Sequence, residues 1–116
     1  LVIDYITPSV IQKHLSKTAA KLAELSDDTL LNYSLMVDPS KIMAMELMAD
    51  LYESIAFVGK QDKLPIIPSK MIQITLKHGM SSLSPLAFVQ YGNYCALIRQ
   101  SYEVGMHYVK LGLALM

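Results

Sequence analysis

Apolar residues recur with helical period along most of this chain. After Thr7, the positions Ile11, Leu15, Thr18-Ala19, Leu22 and Leu25 fall on one face, and Lys13, Lys17, Lys21 and Glu24 fall on the other. That is the pattern of an amphipathic helix. Thr7-Pro8 opens it, because a hydroxyl can accept an orphan amide and proline lacks one at the first helical position. Ser26-Asp27-Asp28 breaks the helix and caps a short turn through Leu30-Leu31. Asp38-Pro39 opens a second long helix by the same logic. Here the apolar set widens to Ile42, Met45, Leu47, Met48, Leu51, Tyr52, Ile55 and Val58, and the polar stripe narrows to Glu46, Asp50 and Glu53. A helix apolar over most of its circumference is expected to pack on more than one side, as an inner helix of a stack does. Gly59 ends it.

The pattern then predicts a third helix from Asp62, with Pro65 in its first turn and Pro68 just beyond. Ile67, Met71, Ile74 and His78 share one face of it; Lys70, Gln73 and Lys77 share another. Gly79 ends this helix. Ser84 as N-cap and Pro85 as first residue open the next, which carries Phe88, Tyr91-Gly92 and Cys95. A last helix carries Gly105, Val109 and Gly112 at spacing i, i+4, i+7, so three small or medium residues share a face and a neighbouring backbone can come close. Connections are short, which makes sequence neighbours antiparallel neighbours. The expected fold is all-α: an antiparallel bundle of about five to six helices forming one helical domain over residues 1–116.

Composition changes this picture in two ways. Hydrophobic residues make up 53% of the 116 positions and charged residues 17%, which is apolar for a free-standing domain. The chain opens on Leu1 without a methionine and stops in an apolar helical run, so we read it as a piece of a longer polypeptide. Its apolar ends, Leu1, Val2 and Ile3 on one side and Leu111, Leu113, Leu115 and Met116 on the other, are expected to support self-association. The formal net charge is zero, which argues against a nucleic-acid footprint or a polybasic membrane patch. The stretch between Lys77 and Arg99 lacks charged residues, but Ser81, Ser82, Ser84, Pro85, Gln90 and Asn93 interrupt it, and these argue against membrane insertion. No signal peptide is visible at the start, where Asp4 interrupts a short apolar run. A lone cysteine, Cys95, excludes an internal disulfide and fits a reducing compartment.

Candidate chemistry is sparse. His14, His78 and His107 are scattered, and none stands at metal-ligand spacing from Cys, Asp or Glu. His78 beside Gly79 reads as a cation on the C-terminal end of a helix dipole, and Cys95 as a buried inert thiol. Glu46, Asp50 and Glu53 read as a solvated face. Met43, Met45, Met48, Met71 and Met106 fall at core spacing, so core filling is expected of them rather than an adaptable groove. No phosphate-binding glycine loop is present. Catalytic, cofactor and metal sites are therefore all expected to be none, and an enzyme is the least expected class.

Two resemblances add to this. Phe88, Tyr91, Gly92 and Cys95, followed by Gly105, Val109 and Gly112, resemble one degenerate tetratricopeptide repeat. The resemblance implies a concave face on its first helix formed by Leu86, Val89, Asn93, Ala96 and Leu97, with Asn93 able both to donate and to accept. A broader resemblance runs through Leu30-Leu31-Asn32, Met36-Val37-Asp38-Pro39, Leu64-Pro65, Thr75-Leu76-Lys77-His78-Gly79, Leu83-Ser84-Pro85-Leu86-Ala87-Phe88, Tyr91-Gly92 and Gly105-Met106-His107-Tyr108. These blocks, in this order, resemble the helical, repeat-like segment of large multidomain sensor kinases, which lies between ATPase-like and output modules. That resemblance implies a cytoplasmic signalling protein, and for this chain a non-catalytic scaffold or signal-relay segment whose partners are neighbouring domains of its own chain. A tetratricopeptide-like adaptor binding a protein or peptide is the alternative, and a small-ligand sensor the third.

Overall fold

The computed structural model describes residues 6–97 and 101–116. Six α-helices follow one another: α1 (Pro8–Ala23), α2 (Asp27–Leu31), α3 (Pro39–Phe57), α4 (Ile66–His78), α5 (Ser84–Leu97) and α6 (Tyr102–Leu115), with a 3₁₀ turn at Gln61–Lys63. No strand occurs among the described residues; Leu35 and Met80 form one isolated parallel bridge. The protein is an all-α helical bundle.

Helix starts follow the expected chemistry in three places. Thr7 accepts from the Val10 amide at 3.3 Å, Ser26 from the Thr29 amide at 3.2 Å, and Asp38 from the Ser40 amide at 2.9 Å. The Ser40 hydroxyl and amide hold the Asp38 carboxyl below the usual carboxylate range. Two starts differ from expectation. The α4 helix begins at Ile66 rather than Asp62, with Pro65 at its N-cap and Pro68 inside its first turn. A start at Asp62 would have put Pro68 in the helix interior, where its ring clashes and its missing amide breaks the ladder; three residues into a helix, no intrahelical amide is needed. At α5, Ser84 is already helical. Ser81 accepts from the Leu83 amide at 3.1 Å while Ser84 accepts from the Ser81 amide at 3.0 Å. The Ser84 hydroxyl thus supplies the back-bonding half of a capping box, while Ser81 caps the amide two residues on. The Ser84 hydroxyl also meets the Thr75 hydroxyl at 2.7 Å, tying the start of α5 to the end of α4.

The core is built on α4 and α5. Ile66, Ile67, Met71 and Ile72 of α4 and Ala87, Phe88, Tyr91 and Cys95 of α5 are buried, joined by Leu15, Leu22, Leu30, Met45, Ile55 and Leu111. The α5 helix lies between α4 and α6, and both α1 and α3 pack on α4. The expected antiparallel pairing of sequence neighbours is seen for α5 and α6. Pro85 lies opposite Gly112 and Ala96 opposite Gly105, so α6 returns along α5. By contrast, α1 runs in the same direction as α4: Lys63 donates to the Ile6 carbonyl at 2.7 Å, and further along His14 meets Ser69 and Gln73.

The glycines of α6 are packing glycines. A Cβ on Gly112 would stand 2.7 Å from the Pro85 carbonyl oxygen, one on Gly92 would stand 2.6 Å from the Gly105 carbonyl oxygen, and one on Gly105 would run into the Ala96 backbone. Gly79 closes α4 at φ 107° and a Cβ there would stand 2.8 Å from the Leu35 carbonyl. That close approach lets Met36 donate to the Met80 carbonyl at 2.8 Å and Met80 donate to the Ser34 carbonyl at 2.7 Å.

Several expectations are corrected. The α3 helix is not an inner helix. Only Met45 and Ile55 are buried in it, while Met43 is 60% exposed, Leu47 62% and Phe57 92%. It rests on α4 along one face, and its second apolar face looks outward. Met43 therefore does not fill the core, although Met45 and Met71 do. At the C-terminal end Leu111 is buried, Leu115 half-buried, and Leu113 and Met116 exposed. Leu1, Val2 and Ile3 lie outside the described residues.

Candidate functional site

The late start of α4 shapes a concavity that two of the expected groove residues reach. The 3₁₀ turn and the prolines after it form a wall from Gln61, Leu64, Pro65 and Pro68. Tyr52 of α3 closes one side, and Asn93, Tyr94 and Leu97 of α5 close the other, around a cleft of about 230 Å³. Burial pushes the Tyr52 phenol above its ordinary pKa. Among its lining residues there is no carboxylate, histidine or cysteine. The cleft can therefore hold an apolar side chain and bond a backbone amide through Asn93 or Gln61, and it offers no acid–base pair for catalysis.

The five residues implied by the tetratricopeptide resemblance separate in the structure. Asn93 and Leu97 line this cleft and are exposed. Val89 and Ala96 instead face α6: Val89 is the wall a Gly112 Cβ would strike, and Ala96 is the wall for Gly105. Leu86 is exposed and lies outside the cleft. The physical reason is the glycine face of α6, which brings its backbone onto α5 and covers the side where Val89 and Ala96 lie. The resemblance put all five on one concave face; the closeness of α6 decides which part stays open.

Elsewhere the structure assembles polar contacts that the sequence left scattered. His14 Nδ1 lies 2.9 Å from the Ser69 hydroxyl and 3.1 Å from Gln73 Nε2. The buried Thr18 and Ser69 hydroxyls meet at 2.6 Å, and Gln73 donates to Thr18 at 2.8 Å. Burial foremost, then the charges of Lys70, Lys17 and Lys21, lower the pKa of His14 and favour its neutral form. The only sequence trace of this cluster was Thr18 on the apolar face of α1. His107 and Asp27 meet at 2.9 Å on the surface, joining α6 to α2; such an exposed pair contributes little stability. Cys95 is buried, His78 half-buried at the end of α4, and Glu46, Asp50 and Glu53 are exposed. Among the described residues no group of three His, Cys, Asp or Glu side chains converges as a metal site, and no helix is long and apolar enough to cross a membrane. Compared with protein-family models, with curated proteins and with solved structures, the chain gives no match.

Proposed function

We propose that this chain is a non-catalytic scaffold or signal-relay segment of a larger cytoplasmic signalling polypeptide, of the sensor-kinase kind its sequence blocks resemble, and that it docks a neighbouring helical element on the outer face of α3. One observation carries this reading. Met43, Leu47 and Leu51 follow one another at helical spacing on the exposed side of α3, Val58 lies exposed just past its end, and Glu46, Asp50 and Glu53 run beside them. An exposed apolar seam of this length is a docking feature rather than ordinary surface. Its acidic border suits an amphipathic partner helix whose own seam is flanked by Lys or Arg, since complementary charge fixes register and excludes wrong partners. Helices stacked this way pass displacement to their neighbours mechanically.

The test uses the polypeptide that carries the segment. Leu47→Gln together with Leu51→Gln should leave the isolated unit's melting temperature nearly unchanged but strip hydrogen-exchange protection from α3 in the whole polypeptide and weaken its signalling output. Equal α3 protection in the isolated unit and in the whole polypeptide would overturn the reading.

The cleft at Asn93 favours a second reading, a tetratricopeptide-like adaptor gripping a peptide backbone. Asn93→Ala should then weaken peptide binding without changing stability, and unchanged binding would remove that reading.

A further inference from the structure

We propose that the groove between α1 and α4 binds a small organic anion bearing two linked phosphates or an equivalent pair of negative charges. It lies on a different surface from the α3 seam and does not depend on the docking reading. The formal charge of the chain is zero, yet charge is segregated in the fold. Lys17 and Lys21 stand one turn apart on α1, and Lys70 and Lys77 stand two turns apart on α4. Because α1 and α4 run in the same direction, both pairs come to line a single cavity of about 310 Å³. No acidic residue lines it, and among the described residues none of the four ammonium groups has an ion-pair partner. Four like charges around one cavity repel one another, and an anion turns that repulsion into attraction.

The remaining lining narrows the chemistry. Lysine is a compact point charge with three donors and recognises phosphate oxygens without the planar fork that arginine offers a carboxylate. His14, Gln73 and His78 add polar groups, while Met48 of α3 and Ile74 of α4 supply an apolar floor. A cavity of this size lies at the lower end of the range for small-molecule sites. Phosphates would sit among the lysines, and a ring or alkyl part would lie on Met48 and Ile74. The groups facing His14 are consistent with this: burial and then Lys70, Lys17 and Lys21 disfavour its proton, and α3 contributes only Met48 to the cavity lining. A bound anion would reverse that field, so binding should be accompanied by proton uptake at His14.

Titration of the chain with pyrophosphate, followed by calorimetry and by amide chemical shifts, tests this at constant ionic strength. The expected result is saturable binding about tenfold tighter than for orthophosphate, with shifts confined to α1 and α4. Lys17→Gln and Lys70→Gln should each weaken binding about tenfold while leaving the melting temperature unchanged or higher, since each removes repulsion. The pKa of His14, followed by NMR, should rise on saturation. A non-saturating response, equal affinity for orthophosphate, or indifference to Lys70→Gln would overturn the proposal. A nucleoside diphosphate that binds no tighter than pyrophosphate would overturn the role given to Met48 and Ile74.

Discussion

Helices α3 and α5 look alike in sequence and differ in the fold. Both carry apolar residues around most of their circumference, the usual mark of a buried helix. The α5 helix meets that expectation: Ala87, Phe88, Tyr91, Gly92 and Cys95 are all buried between α4 and α6. The α3 helix does not, since only Met45 and Ile55 are buried in it. The difference is neighbours, not composition. Glycines at 92, 105 and 112 let α6 lie directly on α5, whereas nothing in the described chain covers the outer side of α3. A helix apolar all round reports how many neighbours it can accept; it does not say that one chain segment supplies them all.

The sharpest way to break this comparison is at the centre of α5. Phe88, fully buried and stacked near Tyr108 with ring centroids 6.3 Å apart, should cost about 4 kcal/mol as Phe88→Ala, read by chemical denaturation. A loss below about 1 kcal/mol would place α5 outside the core. Next, Gly105→Leu should cost about 3 kcal/mol, because its side chain would meet Ala96 backbone that cannot step aside. A melting temperature equal to the parent's would show that α5 and α6 are not in backbone contact.

Within α3 the two faces should respond differently. Met45→Ala, on the inner face and fully buried, should cost about 2 kcal/mol, the low end for such a truncation because α3 can settle inward. Leu47→Gln, on the outer face, should change stability by no more than about 0.5 kcal/mol in either direction. Equal losses at the two positions would mean that a second copy or partner covers the outer seam under the conditions used.

The smallest effect concerns pH. His14 has its pKa lowered below 6.5 in the fold, by burial first and nearby lysines next. The unfolded chain therefore binds the extra proton more readily, and stability should fall as pH drops from 7 through 6.5 toward the folded pKa. His14→Gln should flatten that slope. An unchanged slope in the variant would place the pH dependence on another group.

Much of α1 was legible from spacing. Ile11, Leu15, Thr18 and Leu22 are the residues buried in α1, because a single apolar stripe between lysines leaves only one way to face the core. The caps Thr7, Ser26 and Asp38 were legible for the same local reason: a short polar side chain before a helix answers an amide within three residues of itself. The start of α4 was misplaced because Asp62 offers an equally good local signal, and the choice between it and Ile66 turns on where Pro68 may stand. Of the expected groove, Asn93 and Leu97 reach a cleft, whereas Val89 and Ala96 lie under α6. The cleft's other wall comes from Tyr52, Gln61, Leu64, Pro65 and Pro68, distant in sequence and unpredictable from the helix that carries Asn93.

The sequence by itself determined what depends on residues within a turn or two of one another: helical period, most of the caps, the closing glycines Gly59 and Gly79, and the small-residue face of α6. These are set by backbone sterics and by hydrogen bonds that close locally, so a short window contains the whole cause. Only the tertiary structure decided which apolar faces find a partner, that α1 runs alongside α4 in the same direction, and that His14, Thr18, Ser69 and Gln73 join across more than fifty residues of chain. It also decided that four lysines from two helices share one cavity. Burial and electrostatic potential are sums over everything that surrounds a group, and those surroundings exist only once the helices have packed.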